Sequence, residues 1–241
     1  MPRKARPTRE KKASGITSNS RKASGATSSG RNFRVEWRTI NQKLAWLAFQ
    51  KHDVVFLTGP AGVGKTHLAM AFALSELLER RKKRIVLTRP IVEASGEKLG
   101  FLPGELEEKV HPYMRPFYDI IEKMTGGNPI EKERIYANVE LEPVAFMRGK
   151  TYSDAICIFD EAQNATNEQL KLFMTRFDEG SKLILAGDVT QSDLPKHMVG
   201  LPKVVDSMSR LPNIATVEFD KNDIQRHKLV KLILENWPDA D

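Results

Sequence analysis

Five short apolar runs mark the chain: residues 54–58, 85–88, 155–160, 183–187 and 215–219. They are continuously apolar rather than alternating, and most are bounded by turn residues. Strands covered on both faces have this pattern. The segments between them read as helices. Residues 66–78 are apolar nearly all round, which predicts a central helix. In "TNEQ", Thr166 and Gln169 stand at the spacing of a capping box, and the helix they open carries Leu170, Phe173, Met174 and Phe177 on one face. Residues 222–237 predict a last helix with Val230, Ile233, Leu234 and Trp237 on its buried face and Arg226 one turn ahead. Strand–helix alternation predicts an α/β fold: a parallel sheet with helices on both faces.

One stretch resists this reading. Residues 88–116 follow a strand and are rich in proline, glycine and charge before periodicity returns. A loop of that length within a compact domain is functional or disordered.

Composition and charge refine the picture. Apolar residues make up 40% of the 241, enough for a core, and no apolar run is long enough to span a membrane. The basic N-terminus lacks the apolar stretch of a signal peptide. The one cysteine, Cys157, has no internal partner, which fits a reducing cytoplasm. Residues 1–31 hold nine lysines and arginines against Glu10, so this segment contributes +8 to a net +7 and leaves −1 for the remainder. It repeats "KASGITS" as "KASGATS" and has few large apolar residues, a composition that predicts disorder. It reads either as a polybasic arm for nucleic-acid phosphates or as a solubilising or targeting tail. The expected organisation is a tail, 1–31, and a single domain, 32–241. The run "ERRKKR" at the end of the central helix reads as a nucleic-acid patch or, preferably, as cations that complement the helix dipole.

The candidate chemistry begins at "FLTGPAGVGKTHLA". Gly59, Pro60, Ala61, Gly62, Val63, Gly64, Lys65 and Thr66 match the phosphate-binding pattern G-x-x-x-x-G-K-[ST], after a strand and before a helix, with His67 next. In that pattern backbone N–H groups cradle phosphate oxygens, Lys65 reaches the β and γ phosphates, and Thr66 offers its hydroxyl to Mg²⁺. In "ICIFDEAQN", Asp160 ends a strand as the second Mg²⁺ anchor, and Glu161 is the candidate general base. A base there favours hydrolysis over transfer to an acceptor. In "LAGDVTQSD", Gln191 reads as a sensor of the γ-phosphate or of the attacking water, or else as a turn-stabilising amide. Arg226 either points along its apolar stripe towards the phosphates or opens a salt-bridged helix. No protein-only metal cluster has the spacing of one.

The motifs "GPAGVGKT", "TRPIVEASGEKLGFLPGELEEKVHPYMRPFYD", "FMRGKT", "FDEAQNAT" and "GDVTQSDLP" together resemble the PhoH family of P-loop ATPases, which is related to superfamily 1 helicases. The resemblance runs from about residue 37 to 237 and implies a RecA-like fold that binds ATP and Mg²⁺. It makes Thr88, Arg89 and Pro90 the start of a segment facing nucleic acid, or else packing on a neighbouring subunit. It also makes Gln42 a candidate adenine reader, although helix packing explains that residue equally well. The chain resembles one lobe of a two-lobed helicase. An ATP held on one lobe needs a cover and an arginine, so a homo-oligomer, most simply a hexamer, is expected, with Arg226, Arg148 or Arg176 as the arginine. The overall expectation is a Mg²⁺-dependent ATPase acting on RNA or single-stranded DNA. A protein-directed assembly switch and a small-molecule kinase are the alternatives.

Overall fold

The computed structural model describes residues 36–90, 106–126, 128–225, 229, 230 and 233, with backbone alone for 106–114. All of them belong to one compact unit. The tail 1–31, residues 91–105, Arg226, Leu234 and Trp237 lie outside the described residues.

The expected strands form with boundaries shifted by at most one residue. They are β1 (Val54–Thr58), β2 (Arg84–Thr88), β4 (Ala155–Phe159), β5 (Lys182–Gly187) and β6 (Ile214–Glu218). A sixth, β3 (Val139–Leu141), has no counterpart among the apolar runs, because three half-buried edge residues carry no continuous apolar signal. Every pairing is parallel and the order is β3-β2-β4-β5-β1-β6. Thus β5 lies directly beside β1, as right-handed winding predicts, with Thr58 opposite Gly187.

Both sheet faces are dry, which explains the lack of alternation. Val55, Leu57, Ile85, Leu87, Ile156 and Ile158 point to one cluster, with helices α1 (Ile40–Lys51), α2 (Lys65–Leu78) and α3 (Leu106–Thr125). Val54, Phe56, Val86, Cys157 and Phe159 point to the other, against α5 (Asn167–Met174) and α6 (Leu201–Met208). Helix α2 is the central helix that its composition predicts: Leu68 through Leu77 are all buried. The basic run lies just beyond its end, where Arg81 pairs Glu76 and Glu79, Lys82 donates to the Gly180 carbonyl and Lys83 pairs Asp154.

Three expectations need correction. Helix α3 occupies the second half of the stretch read as a loop and runs through Pro112 and Pro116. Proline ordinarily breaks a helix, but Phe117 and Ile121 anchor this one in the core. Helix α5 has its capping box and buries Leu170 and Phe173, but it ends at Met174, so Phe177 falls off the face and is 36% exposed. The segment expected to open the last helix begins instead with one 3₁₀ turn, Lys221–Asp223, capped by Asp220. Val230 and Ile233, expected to be buried, are exposed. A further helix, α4 (Pro129–Tyr136), precedes β3.

The α5 boundary gives a direct test. Phe173 is fully buried, with its ring edge-on to Phe159 at 5.0 Å. Phe173→Ala should cost about 3–5 kcal/mol in denaturant unfolding, whereas Phe177→Ala should cost about 1 kcal/mol or less. Equal losses would mean that α5 continues as the spacing of Leu170, Phe173, Met174 and Phe177 suggests.

Candidate active site

Parallel strands deliver their C-terminal ends to one edge, and that edge carries the motif residues. The loop after β1 turns on Gly59, Gly62 and Gly64, all with positive φ. At Gly59 the constraint is severe: φ is +132°, and a Cβ would stand 2.3 Å from the Phe219 carbonyl oxygen. The loop is held from three sides. The Gly59 N–H donates to the Gly187 carbonyl, the Gln225 N–H donates to the Gly62 carbonyl, and the Gln42 side-chain amide donates to the Val63 carbonyl.

Gln42 is buried, and its amide oxygen also accepts from the Arg38 N–H at 2.9 Å. It therefore joins the start of α1 to the phosphate-binding loop, with one amide hydrogen and one oxygen lone pair left over. Pro60, Ala61 and Gly62 are partly or fully exposed, Val63 is buried, and His67 is exposed at the start of α2.

Lys65 donates to the Gly59 and Pro60 carbonyls at 2.5 and 2.9 Å. Burial lowers its pKa, while Asp188, Glu161 and Asp160 act to raise it. Thr66 donates its hydroxyl to Asp160 Oδ1 at 2.7 Å. The other oxygen, Asp160 Oδ2, is buried and accepts no hydrogen bond, with the Arg89 guanidinium 3.5 Å away. Burial pushes the Asp160 carboxyl up to about 6, and Arg89 and the Thr66 hydroxyl partly oppose that shift. A hydroxyl and an orphaned buried carboxylate oxygen are hard donors of the kind Mg²⁺ takes with phosphates. The residues present therefore fit that ion.

Glu161 leaves β4 with φ 51° and ψ 40°, and its side chain is 42% exposed. One carboxylate oxygen accepts from Arg89 at 2.9 Å and the other from the Gln163 amide at 2.6 Å. The Gln163 amide oxygen in turn accepts from the Asp188 N–H. Asn164 and Gln163 also bind the segment after β5 through Asp193 and Ser192. Sequence reasoning misses this stitching, although Gln163 and Asn164 stand in the "ICIFDEAQN" motif. Gln191 lies on the exposed turn that begins at Asp188, at the same sheet edge.

The nucleic-acid candidates divide. Thr88 and Pro90 are buried, while Arg89 is directed at Asp160 and Glu161. Arg148 is exposed. Arg176 bonds to the Lys150 carbonyl and the Thr175 hydroxyl of its own chain.

A glycine-turned phosphate loop, a lysine and threonine opening α2, and an aspartate ending β4, all at one edge of an all-parallel sheet, define a P-loop NTPase with a RecA-like fold. Within that class, the chain belongs to the PhoH family, whose family model, PhoH-like protein, matches residues 34–237. A PhoH-like protein from Bacillus subtilis is 45% identical over 209 residues, covering 86% of this chain and 65% of the relative. One from Mycobacterium tuberculosis is 46% identical over 210 residues, with 87% and 59% covered. Protein PhoH of Escherichia coli K12 is 38% identical over 194 residues, with 79% and 54% covered. The chain thus spans less than two-thirds of the length of these relatives. Among solved structures, Pif1 helicase from Candida albicans aligns with TM-score 0.39 and 16% identity over 85% of this chain and 46% of that one.

The raised Asp160 pKa has a sign that can be tested. Its folded value exceeds the unfolded one, so the native state holds the extra proton between about pH 4 and 6. This group's stabilising contribution is complete below the unfolded value and is lost as pH rises through about 6. Asp160→Asn should therefore raise the melting temperature at pH 8, have little effect at pH 4, and abolish Mg²⁺-dependent nucleotide binding. A lower melting temperature at pH 8 would mean that the carboxylate is adequately neutralised in place.

Proposed function

We propose that this chain binds ATP with Mg²⁺ and hydrolyses it in a cycle coupled to RNA or single-stranded DNA. The carrying observation is the Thr66–Asp160 hydrogen bond, which brings the two candidate Mg²⁺ anchors together beside Lys65. Lys65 would meet the β and γ phosphates, and the loop N–H groups would hold their oxygens. Bound Mg²⁺ would neutralise charge developing on the phosphates. Glu161 would take a proton from water as the water oxygen bonds to the γ-phosphorus. The bond from that phosphorus to the bridging oxygen breaks, and ADP leaves with the electron pair. Gln191, at the same edge, would sense the γ-phosphate. Gln42, whose leftover donor and acceptor lie beside the loop, would meet the adenine.

Coupling to nucleic acid draws support from Arg89. It stands at the exit of β2, where the family resemblance puts the nucleic-acid-facing segment, and it contacts the candidate base directly. A phosphate backbone near that exit would act on the same guanidinium that holds Glu161.

Phosphate-release assays test this reading. Lys65→Ala should lose nucleotide binding. Glu161→Gln should bind normally and turn over about two to four decades more slowly. Single-stranded RNA should stimulate the wild type. Deleting residues 1–31 should leave basal turnover intact and flatten the dependence of RNA affinity on salt, by about 0.7 in log–log slope for each RNA phosphate that the tail neutralises. Native turnover in Glu161→Gln would move the base elsewhere, and RNA-independent turnover would favour the assembly switch.

A single lobe leaves the γ-phosphate facing outward, so we further propose a ring, most simply a hexamer, with ATP at its interfaces. Arg148, exposed, and Arg226 are the arginines to test across the interface. An arginine of this kind contributes about 10³–10⁵ in rate. Mixing inactive Lys65→Ala chains with inactive Arg148→Ala or Arg226→Ala chains should restore activity for the residue that acts in trans. A monomer by light scattering with ATP and RNA present would refute the ring.

A further inference from the structure

The acidic pair at the end of β4 is served by one guanidinium from the neighbouring strand. Arg89 follows the last residue of β2, and the Thr88 carbonyl accepts the Asp160 N–H at 3.0 Å, so the two strand exits are bonded side by side. From that position the Arg89 guanidinium lies 2.9 Å from Glu161 Oε1 and 3.5 Å from Asp160 Oδ2. The second of these is the buried oxygen that accepts no hydrogen bond. The Arg89 side chain is itself only 21% exposed, so solvent screens the pair incompletely.

We propose that Arg89 is a positioning residue that competes with the divalent cation for Asp160 while holding Glu161, and so sets the Mg²⁺ requirement of the site. This rests on the Mg²⁺–ATP reading above. A doubly charged ion held by Thr66 and Asp160 would lie close to a guanidinium that claims the same carboxylate oxygen. Two cations at that separation repel, and a carboxylate oxygen turned to one is denied to the other. Each therefore weakens the other's hold, and the effect is reciprocal. Arg89 also fixes Glu161 through one oxygen while Gln163 fixes it through the other. The same guanidinium nitrogen makes both contacts, so an Arg89 drawn away from Asp160 by a bound cation would also loosen its bond to Glu161. Cation loading and the loss of one of the two bonds that fix Glu161 would then be coupled.

The test is a Mg²⁺ titration, read by binding of a fluorescent, non-hydrolysable ATP analogue to the full chain, so it does not depend on turnover. In Arg89→Ala the Mg²⁺ concentration for half-maximal binding should fall about 5- to 100-fold, the usual range for coupling between two sites. Arg89→Lys keeps the charge and should stay within about threefold of the wild type. If Arg89→Ala melts early, Arg89→Gln should show the same fall while keeping a hydrogen-bond donor. An unchanged or higher Mg²⁺ requirement in the uncharged variants overturns the inference and leaves the ATP reading standing. An equal fall in Arg89→Lys overturns it as well, because bulk rather than charge would then be the cause. A wild type that binds the analogue with no dependence on Mg²⁺ overturns the ATP reading itself and this inference with it.

Discussion

The burial of Asp160 is the constraint on which the sheet edge turns. A carboxylate withdrawn from water is costly unless hydrogen bonds and positive charge compensate it. Here one oxygen has the Thr66 hydroxyl, the other has none, and the carboxyl is pushed up to about 6. The fold thus carries an incompletely satisfied charge at the end of β4. A hydrophobic residue there would pack without that cost, so the edge retains a group that lowers stability, which accords with the cation-binding role proposed for it. Arg89 and Lys65 both approach it from neighbouring elements, and neither donates a hydrogen bond to Asp160 Oδ2.

Strand order makes this concentration possible. Because β5 lies between β4 and β1, the segments after all three strands meet along one edge. The β4 exit is tied to the β5 exit through Gln163, Asn164, Asp188 and Asp193, and the β5 exit to the phosphate loop through Gly187 and Gly59. Gly187 has no room for a side chain, since a Cβ would stand 2.7–3.0 Å from Leu201 and Gln163. The phosphate loop and the β5 exit are thus joined main chain to main chain, and the β4 and β5 exits through the Gln163 and Asn164 side chains.

Legibility from sequence follows burial. The strands buried on both faces announce themselves as apolar runs, and the phosphate loop is local in sequence, so both are readable within a residue. Edge strand β3 is half-buried and short, which leaves no periodic signal. Helix α3 is hidden by Pro112 and Pro116, because propensity opposes a helix there while the burial of Phe117 and Ile121 supports one. Phe177 fits the face of α5 by spacing, but Thr175 breaks the pattern by ending the helix. The contacts of Arg89 and Gln163 with Glu161 depend on which strands become neighbours, and no local motif encodes that. Gln42 stands out only through a family resemblance, and its tertiary bond to Val63 lies 21 residues away.

Glu161 shows how strongly the edge is specified. Four non-glycine residues among those described have positive φ: Arg80, Asp154, Asn213 and Glu161. The first three precede β2, β4 and β6, where chains turn at the N-terminal edge and left-handed geometry serves only to reverse direction. Glu161 is the exception, since it stands at the C-terminal edge beside the phosphate loop. A left-handed glutamate costs on the order of 1 kcal/mol or more and persists only where its surroundings hold it. Its surroundings here are the Arg89 and Gln163 bonds to its carboxylate and the Asp160 N–H bond one residue back. The backbone also has supports that the carboxylate clamp does not share: the Asn164 N–H donates to the Glu161 carbonyl and the Asp160 N–H to the Thr88 carbonyl, both at 3.0 Å. Weakening the Arg89 contact would therefore free one carboxylate oxygen while these main-chain bonds still hold the peptide, so the candidate base would turn about its side-chain bonds on a fixed backbone.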